Sequence, residues 1–428
     1  MHKTTVENGL TTGVQVEGAE VLRLNILDRM AFHIVPSVSV AVVDGGKLDF
    51  AETYNLDAGD RIDPETQIQA GSISKPIAAV VALQLVERGM LNLDEDVNDK
   101  LTSWKVPESE FTSGTEKVTL RRLLSHTAGT NVHGFMGYKS SEAIPALLQV
   151  LEGAAPANSD AVVSERVPGE KREYSGGGFE IIQQLIEDVT SRKFSEVAKE
   201  FVFDPLGMSR STYEIIRPGV ESTDNMAKGH ESNGGLVEGD WHLHPESAAA
   251  GLWTTPSDLV KFILAIQNHT LLSEAMTRDM LQKQIKNELS EFGLGFQINA
   301  RATTFGHAGV NIGFQSEMVG FISEGKAAVV MTNSDNGLDI APEIIRSIAE
   351  AYGWSVGHGF EFETKKIIAL DPAILPSYEG RYTGGTPDGE AIQAIISLEG
   401  GQLQLSILAP GSDTSLQLQK LGVLLPET

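Results

Sequence analysis

Leu22, Leu24, Ile26, Leu27, Met30 and Ala31 recur at the spacing of one helical face, which predicts an amphipathic helix over residues 22–32. Val38, Val40 and Val42 then alternate with smaller residues, Asp44-Gly45-Gly46 supplies a turn, and residues 47–54 run back as a hairpin. Residues 73–88 are rich in Ala, Val and Leu and carry no internal glycine. They predict a buried helix that ends at Gly89. Ile181, Ile182, Leu185, Ile186 and Val189 share one stripe and predict a helix over 178–190. Residues 256–267 predict another, opened by Pro256 and capped by Thr254 or Thr255.

Later the period shifts. Residues 292–298, 318–323 and 327–332 are short, apolar and rich in β-formers, and residues 343–352 predict a closing helix. A hairpin near the start, a helical middle and late strands imply a mixed α/β (α+β) domain. Its antiparallel sheet would be built from both chain ends, with helices on its faces. Near residue 365 the character changes again. Residues 392–398 and 403–408 read as strands joined by Glu399-Gly400-Gly401-Gln402, without a helical stripe. The division expected is a domain over 1–365 and a small β module over 366–428. So few strands leave edges exposed that the module reads as part of a barrel, short or truncated.

The 428 residues suit one large domain plus a small one. Hydrophobic residues at 41% are enough for a full core. The formal charge of −25 repels phosphates and anionic lipid heads, so it disfavours nucleic-acid and membrane-surface partners. No run reaches the roughly 18 apolar residues of a membrane span. There is no cysteine, which excludes disulfides, thiolate nucleophiles and Cys-based metal clusters. The first twenty residues are polar and hold no signal-peptide core. That leaves the compartment open between the cytoplasm and a chain whose leader has been removed.

Three stretches could carry chemistry. In Ala70-Gly71-Ser72-Ile73-Ser74-Lys75-Pro76, a helix starting near Ser72 would put Ser72 and Lys75 on one face. A serine hydroxyl needs a neighbour to take its proton. A lysine can serve, and a helix start offers free N–H groups to an oxyanion. The plain alternative is a serine cap and a solvated lysine. In Glu173-Tyr174-Ser175-Gly176-Gly177-Gly178, a tyrosine stands at a helix entry, and a phenol near a lysine can act as general base. The plain alternative is a tyrosine packed on the core. In Phe305-Gly306-His307-Ala308-Gly309-Val310, small residues flank a histidine between strand-like segments. A strand edge there could offer the Val310 N–H to an oxyanion, although a lone histidine is more often structural.

In this order the three stretches resemble the serine β-lactamase and penicillin-binding protein superfamily, and in particular its class C β-lactamase-like branch. That branch also holds D-Ala-D-Ala carboxypeptidases, D-aminopeptidases and esterases. Leu123-Leu124-Ser125-His126-Thr127-Ala128-Gly129, Asp204-Pro205-Leu206-Gly207-Met208 and the stretch from Ala250 to Leu259 are similar to family segments as well. The resemblance implies an α/β domain with a helical lobe and a cleft between them. It implies Ser72 as the acylated nucleophile, Lys75 and Tyr174 sharing the proton work, and the backbone N–H groups of Ser72 and Val310 as the oxyanion hole. His307, Gly309 and Gly176 would contact substrate. It implies no cofactor and no metal, and a small ester, peptide or β-lactam as the partner.

Two departures from the family pattern narrow the expectation. Gly176 stands where many members have an asparagine that contacts the substrate's acyl amide, and His307 stands where β-lactamases of this branch have lysine. Histidine is at most partly charged near neutrality. Both favour an esterase or a D-specific peptidase over an efficient β-lactamase. A weak β-lactamase and a non-catalytic penicillin-binding receptor are the alternatives. The tail from Leu375-Pro376-Ser377-Tyr378 resembles the β module appended to some of these hydrolases.

Other features read as plain. Asp94, Asp96 and Asn98 have the 1, 3, 5 spacing of a calcium loop, but Asp99 stands where glycine belongs and Lys105 where glutamate belongs. His242, His244 and Glu246 fit no helical metal pair and are expected on a loop lining the cleft. His126 reads as structural support for the cleft wall. His133, Phe135, Met136 and Tyr138 are candidates for the acyl pocket.

Overall fold

The computed structural model describes residues 2–56, 62–219, 225–285, 291–299, 303–354, 363–365, 372–385, 391–399, 402–408 and 416–417. The chain divides into two units, Met1–Thr11 with Arg23–Glu361, and Thr12–Leu22 with Phe362–Thr428.

In the larger unit the first predicted helix begins late, as α1 (Ile26–His33). Leu24 is instead tied to Leu10 by backbone hydrogen bonds in both directions. The Asn25 side chain accepts from the Leu27 N–H at 2.8 Å and so caps α1. The hairpin forms as β1 (Ser37–Asp44) and β2 (Lys47–Asn55). Gly45 and Gly46 turn it at φ +57° and +75°, a conformation that suits glycine. The buried helix is α2 (Ser74–Glu87), in which every residue from Ser74 to Leu85 is inside. Then come α3 (Gly177–Thr190), the short α4 (Ser247–Ala250) and α5 (Pro256–Gln267). Thr255 caps α5 by accepting from Asp258 N–H at 3.2 Å.

The last part supplies β3 (Gln297–Asn299), β4 (Thr304–Asn311), β5 (Phe314–Phe321), β6 (Ala327–Thr332) and α6 (Gly337–Tyr352). The strand predicted over 292–298 is mostly a tight turn. Gly293 N–H bonds Phe296 O, and Gly295, at φ +83°, bonds Leu124 O. The six strands form one antiparallel sheet in the order β2-β1-β6-β5-β4-β3. Both chain ends do build the sheet, and the fold is α+β.

Helices cover both faces of the central strands. Val38, Val40, Val42, Ala328 and Val330 pack with Ile26 and Met30 of α1 and with Ile340, Ile344 and Ile348 of α6. Ala41, Val43, Val329 and Met331 belong to the larger core, with Phe262, Ile263 and Ile266 of α5. Double coverage removes the in-and-out alternation that a half-buried strand would show. The helical middle, α2 and α3 included, fills the rest of that larger core.

In the smaller unit, Gly380–Gly385, Ala391–Glu399, Gln402–Leu408 and Leu416–Gln417 form a four-stranded antiparallel sheet in chain order. Val14–Val16 pairs in parallel with Glu363–Lys365. The glycine pair of the predicted turn at 400–401 and the last eleven residues lie outside the described residues.

A buried ion pair links α1 to α6. Arg29 donates from Nε and Nη2 to the two carboxylate oxygens of Glu343 at 2.7 and 2.6 Å. Burial pushes the Glu343 carboxyl up, but bonds from His33 and Arg29 outweigh it and hold the group below its ordinary value. The stabilisation is therefore complete above the unfolded value of about 4.3 and is lost as pH falls through the folded one. Glu343→Leu strands a buried guanidinium and is expected to cost about 3–5 kcal/mol at pH 7. Urea unfolding of both proteins checks this, with the gap between them narrowing in acid.

Candidate active site

A 3-10 turn, Gly71–Ile73, runs straight into α2 and carries Ser72 at the helix entrance. The sequence expectation of a helix start near Ser72 thus takes the form of a tighter turn. Gly71 sits at φ +52°, and a Cβ there would stand 2.5 Å from the Val310 nitrogen. Only glycine meets both conditions. Ser74 pins the turn: its hydroxyl donates to Gly71 O at 2.7 Å and accepts from Leu252 N–H at 3.0 Å.

Lys75 lies one turn further on and is 2% exposed. Its Nζ donates to Ser72 Oγ at 3.0 Å and to Ala249 O at 2.8 Å. It also lies 5.0 Å from the ring centre of Tyr174 and 5.7 Å from that of Phe179. Tyr174 comes just before α3. Its neighbour Ser175 accepts from Gly178 N–H at 3.0 Å and donates to Asn131 O at 2.7 Å, which fixes the helix entry. Hydroxyl, lysine and phenol ring therefore converge at the start of α2.

The third stretch is a full strand, β4, paired on both sides. Gly306, Ala308 and Gly309 hid it, because small residues carry little β signal. Those small residues let β4 lie against the serine turn: a Cβ on Gly309 would stand 1.9 Å from Ala70 O. Val310 follows, half exposed at 51%. Its backbone meets Gly71, beside Ser72.

His307 is buried, and its Nδ1 is bonded to Ala308 O. Burial, followed by the nearby Lys75, pushes the imidazole down to about 3 against the Ala308 bond, so His307 is neutral at pH 7. The partial charge allowed from sequence is therefore absent. His126 packs on Tyr174 with ring centres 4.4 Å apart, and its Nδ1 accepts from Ser175 N–H. Burial, then Lys75, lowers it well below the usual histidine range.

The remaining candidates scatter. Gly176 lies beneath the Phe135 ring, where a Cβ would come 3.0 Å from Phe135 Cε2. Met136 is exposed, and Tyr138 is buried with its hydroxyl on Asn158 N–H. His244 and Glu246, expected on a loop lining the cleft, are buried instead, 3.9 Å apart. Burial pushes Glu246 up to about 7 and His244 down to about 3. Asp94 pairs with Arg121, and Asp96 caps a short 3-10 turn. Among the described residues no group of three or more His, Asp or Glu side chains gathers as a cation site. No described helix is long and apolar enough to cross a membrane.

Sequence reasoning missed Ala249, whose carbonyl holds Lys75, and Asn311. Asn311 donates to Gln69 Oε1 at 2.8 Å and to Ala250 O at 3.1 Å. A backbone carbonyl leaves no trace in residue type. Asn311 was visible only as a polar residue next to the His307-Ala308-Gly309 stretch.

The sequence profile of the beta-lactamase family matches residues 22–353. The chain is 23% identical over 386 residues to penicillin-binding protein 4* of Bacillus subtilis, covering 83% of this chain and 81% of that protein. It is 25% identical over 267 residues to a teichoic acid D-alanine hydrolase of Staphylococcus aureus, covering 60% of this chain and 61% of that protein. The octameric penicillin-binding protein homologue of Pyrococcus abyssi superposes with a TM-score of 0.65 at 24% identity, over 91% of this chain and 87% of that one.

The contact between β4 and the serine turn is directly testable. Gly309→Ala places a methyl group 1.9 Å from Ala70 O and must push the two apart. The expected cost is about 1–3 kcal/mol. Thermal unfolding measures it, and an unchanged melting temperature would contradict the close approach.

Proposed function

Because the chain belongs to the beta-lactamase family, we propose that it is a serine hydrolase that forms an acyl-enzyme at Ser72. Its substrates are small esters or amide bonds of D-amino-acid peptides. The observation that carries this is the buried Lys75 Nζ at 3.0 Å from Ser72 Oγ.

In this reading the Ser72 hydroxyl gives its proton to the Lys75–Tyr174 pair as Oγ bonds to the substrate carbonyl carbon. The carbonyl π electrons move to oxygen, and the N–H groups of Ser72 and Val310 donate to that oxyanion. One such donor is worth about 10²–10³ in rate. The C–O or C–N bond then breaks, and the leaving group takes the proton. Water attacks the acyl carbon and releases the acid, and Oγ recovers a proton. His126 and His307, both neutral, wall the site without competing for that proton.

The neutral His307 supports esters over β-lactams, since it places no fixed positive charge for a β-lactam carboxylate. Gly176 points the same way, because it has no side-chain donor for an acyl amide and lies under an aromatic ring. The similarity to a teichoic acid D-alanine hydrolase supports a D-aminoacyl group as the acyl part. A non-catalytic receptor would share the fold, but the bond between Lys75 and Ser72 speaks for turnover.

A short-chain p-nitrophenyl ester assay decides between these. Ser72→Ala is expected to abolish hydrolysis, and equal rates in both proteins would end the hydrolase claim. Tyr174→Phe is expected to fold normally and to lose about 10²-fold or more in kcat. Retained activity would make Lys75 the sole base. Nitrocefin turnover should be slow beside the best ester, and intact-mass analysis with esters, D-amino-acid amides and penicillins shows which load an adduct.

A further inference from the structure

The short helix α4 meets three parts of the site through its backbone alone. Its Ala248 N–H donates to Gln183 Oε1 at 2.9 Å, and its Ala249 N–H to Glu180 Oε1 at 3.2 Å. At its other end Ala249 O accepts from Lys75 Nζ at 2.8 Å, and Ala250 O from Asn311 Nδ2 at 3.1 Å. A helix leaves its first N–H and last C=O groups without internal partners, and buried ones must find side chains. Here the acceptors come from α3, and the donors come from α2 and β4. Glu180 and Gln183 are three apart on α3 and so share a face. The four-residue turn therefore joins the helix that Tyr174 leads into to Lys75, and to the residue after Val310.

Glu180 is the unusual member. It is 0% exposed, and its Oε2 makes no hydrogen bond among the described residues. Glutamine would provide the same acceptor without a titratable proton. We propose that Glu180 is a positioning residue of the hydrolase site, which through the Ala249 backbone holds Lys75 Nζ on the Ser72 hydroxyl. The inference rests on the acyl-enzyme reading and names a residue that nothing in the motifs assigns. Glu180 faces Glu246 ahead of α4, Lys75 on α2 and Glu187 on its own helix. Burial, then Glu246, pushes its carboxyl well above the usual range, while Lys75 and the Ala249 bond pull the other way. The bond that its Oε1 accepts from the Ala249 N–H needs no charge on the group. Lys75 also acts electrostatically on His126, His307 and His244, and Arg172 acts on the first two.

The test measures covalent labelling of Ser72 by a fluorophosphonate, and ester kcat and KM, across pH 5–10 in the full chain. Glu180→Gln keeps the acceptor and should leave rates and pH profile close to wild type. Glu180→Leu removes the acceptor at similar volume. It should slow labelling and kcat by up to about 10²-fold, the scale of a 1 Å misplacement, with KM little changed. Its pH profile should also move, because the Ala249 carbonyl that holds Lys75 Nζ is no longer fixed. Wild-type labelling and pH profile in Glu180→Leu, with only a lower melting temperature, would overturn the proposal. So would Glu180→Gln falling as far as Glu180→Leu, since charge rather than placement would then matter. If Glu180→Leu does not fold, Gln183→Leu removes the adjacent acceptor and carries the comparison: slower labelling supports the proposal, and wild-type labelling overturns it. Absence of any Ser72 label in wild type would overturn the acyl-enzyme reading itself, and this inference with it.

Discussion

A lysine amine buried at 2% exposure needs partners, and the site is arranged around supplying them to Lys75. Among the described residues no carboxylate lies within ion-pair distance of it. Its partners are a hydroxyl, a backbone carbonyl and two ring faces. A buried polar group left without a hydrogen bond costs about 1–3 kcal/mol, and these contacts meet that demand. These partners come from the 3-10 turn before α2, from α4, from the approach to α3, and from α3 itself. One side chain therefore requires four pieces of chain to be in register.

That requirement explains the electrostatic character of its surroundings. The histidines near Lys75, His126 and His307, are pushed toward neutrality by burial and by the lysine. Glu180 and Glu246 are pushed toward protonation by burial. The molecule carries a formal charge of −25, yet these two histidines and two carboxyls are all pushed toward their neutral forms. An interior like this strengthens each remaining dipole, so oriented N–H groups and carbonyls count for more than surface charge.

Much was legible in the chain. The hairpin, α2, α3 and α5 were each announced by period or by cap, since a 3.6-residue stripe and a Gly-Gly turn are local signals. The Ser72, Lys75 and Tyr174 stretches were legible by resemblance. β4 was not, because Gly306, Ala308 and Gly309 are small for packing reasons and lack the β-branched signature. The late start of α1 was hidden because Leu22 and Leu24 fit its apolar spacing by coincidence while bridge pairing claimed Leu24. His244 and Glu246 looked like loop polar residues and turned out to be core.

The amino-acid order by itself determined which residue types were available and where local periodicity would coil or extend them. It also determined that no thiol chemistry exists here and that the family's three stretches follow one another. Only the tertiary structure decided that Lys75 would rest on Ala249 O, that His307 would be neutral, and that Glu180 would face Glu246 inside the core. Those outcomes depend on burial and on backbone groups brought together across as many as 174 residues. Desolvation and backbone hydrogen bonding act through space, and residue identity along a chain does not encode them.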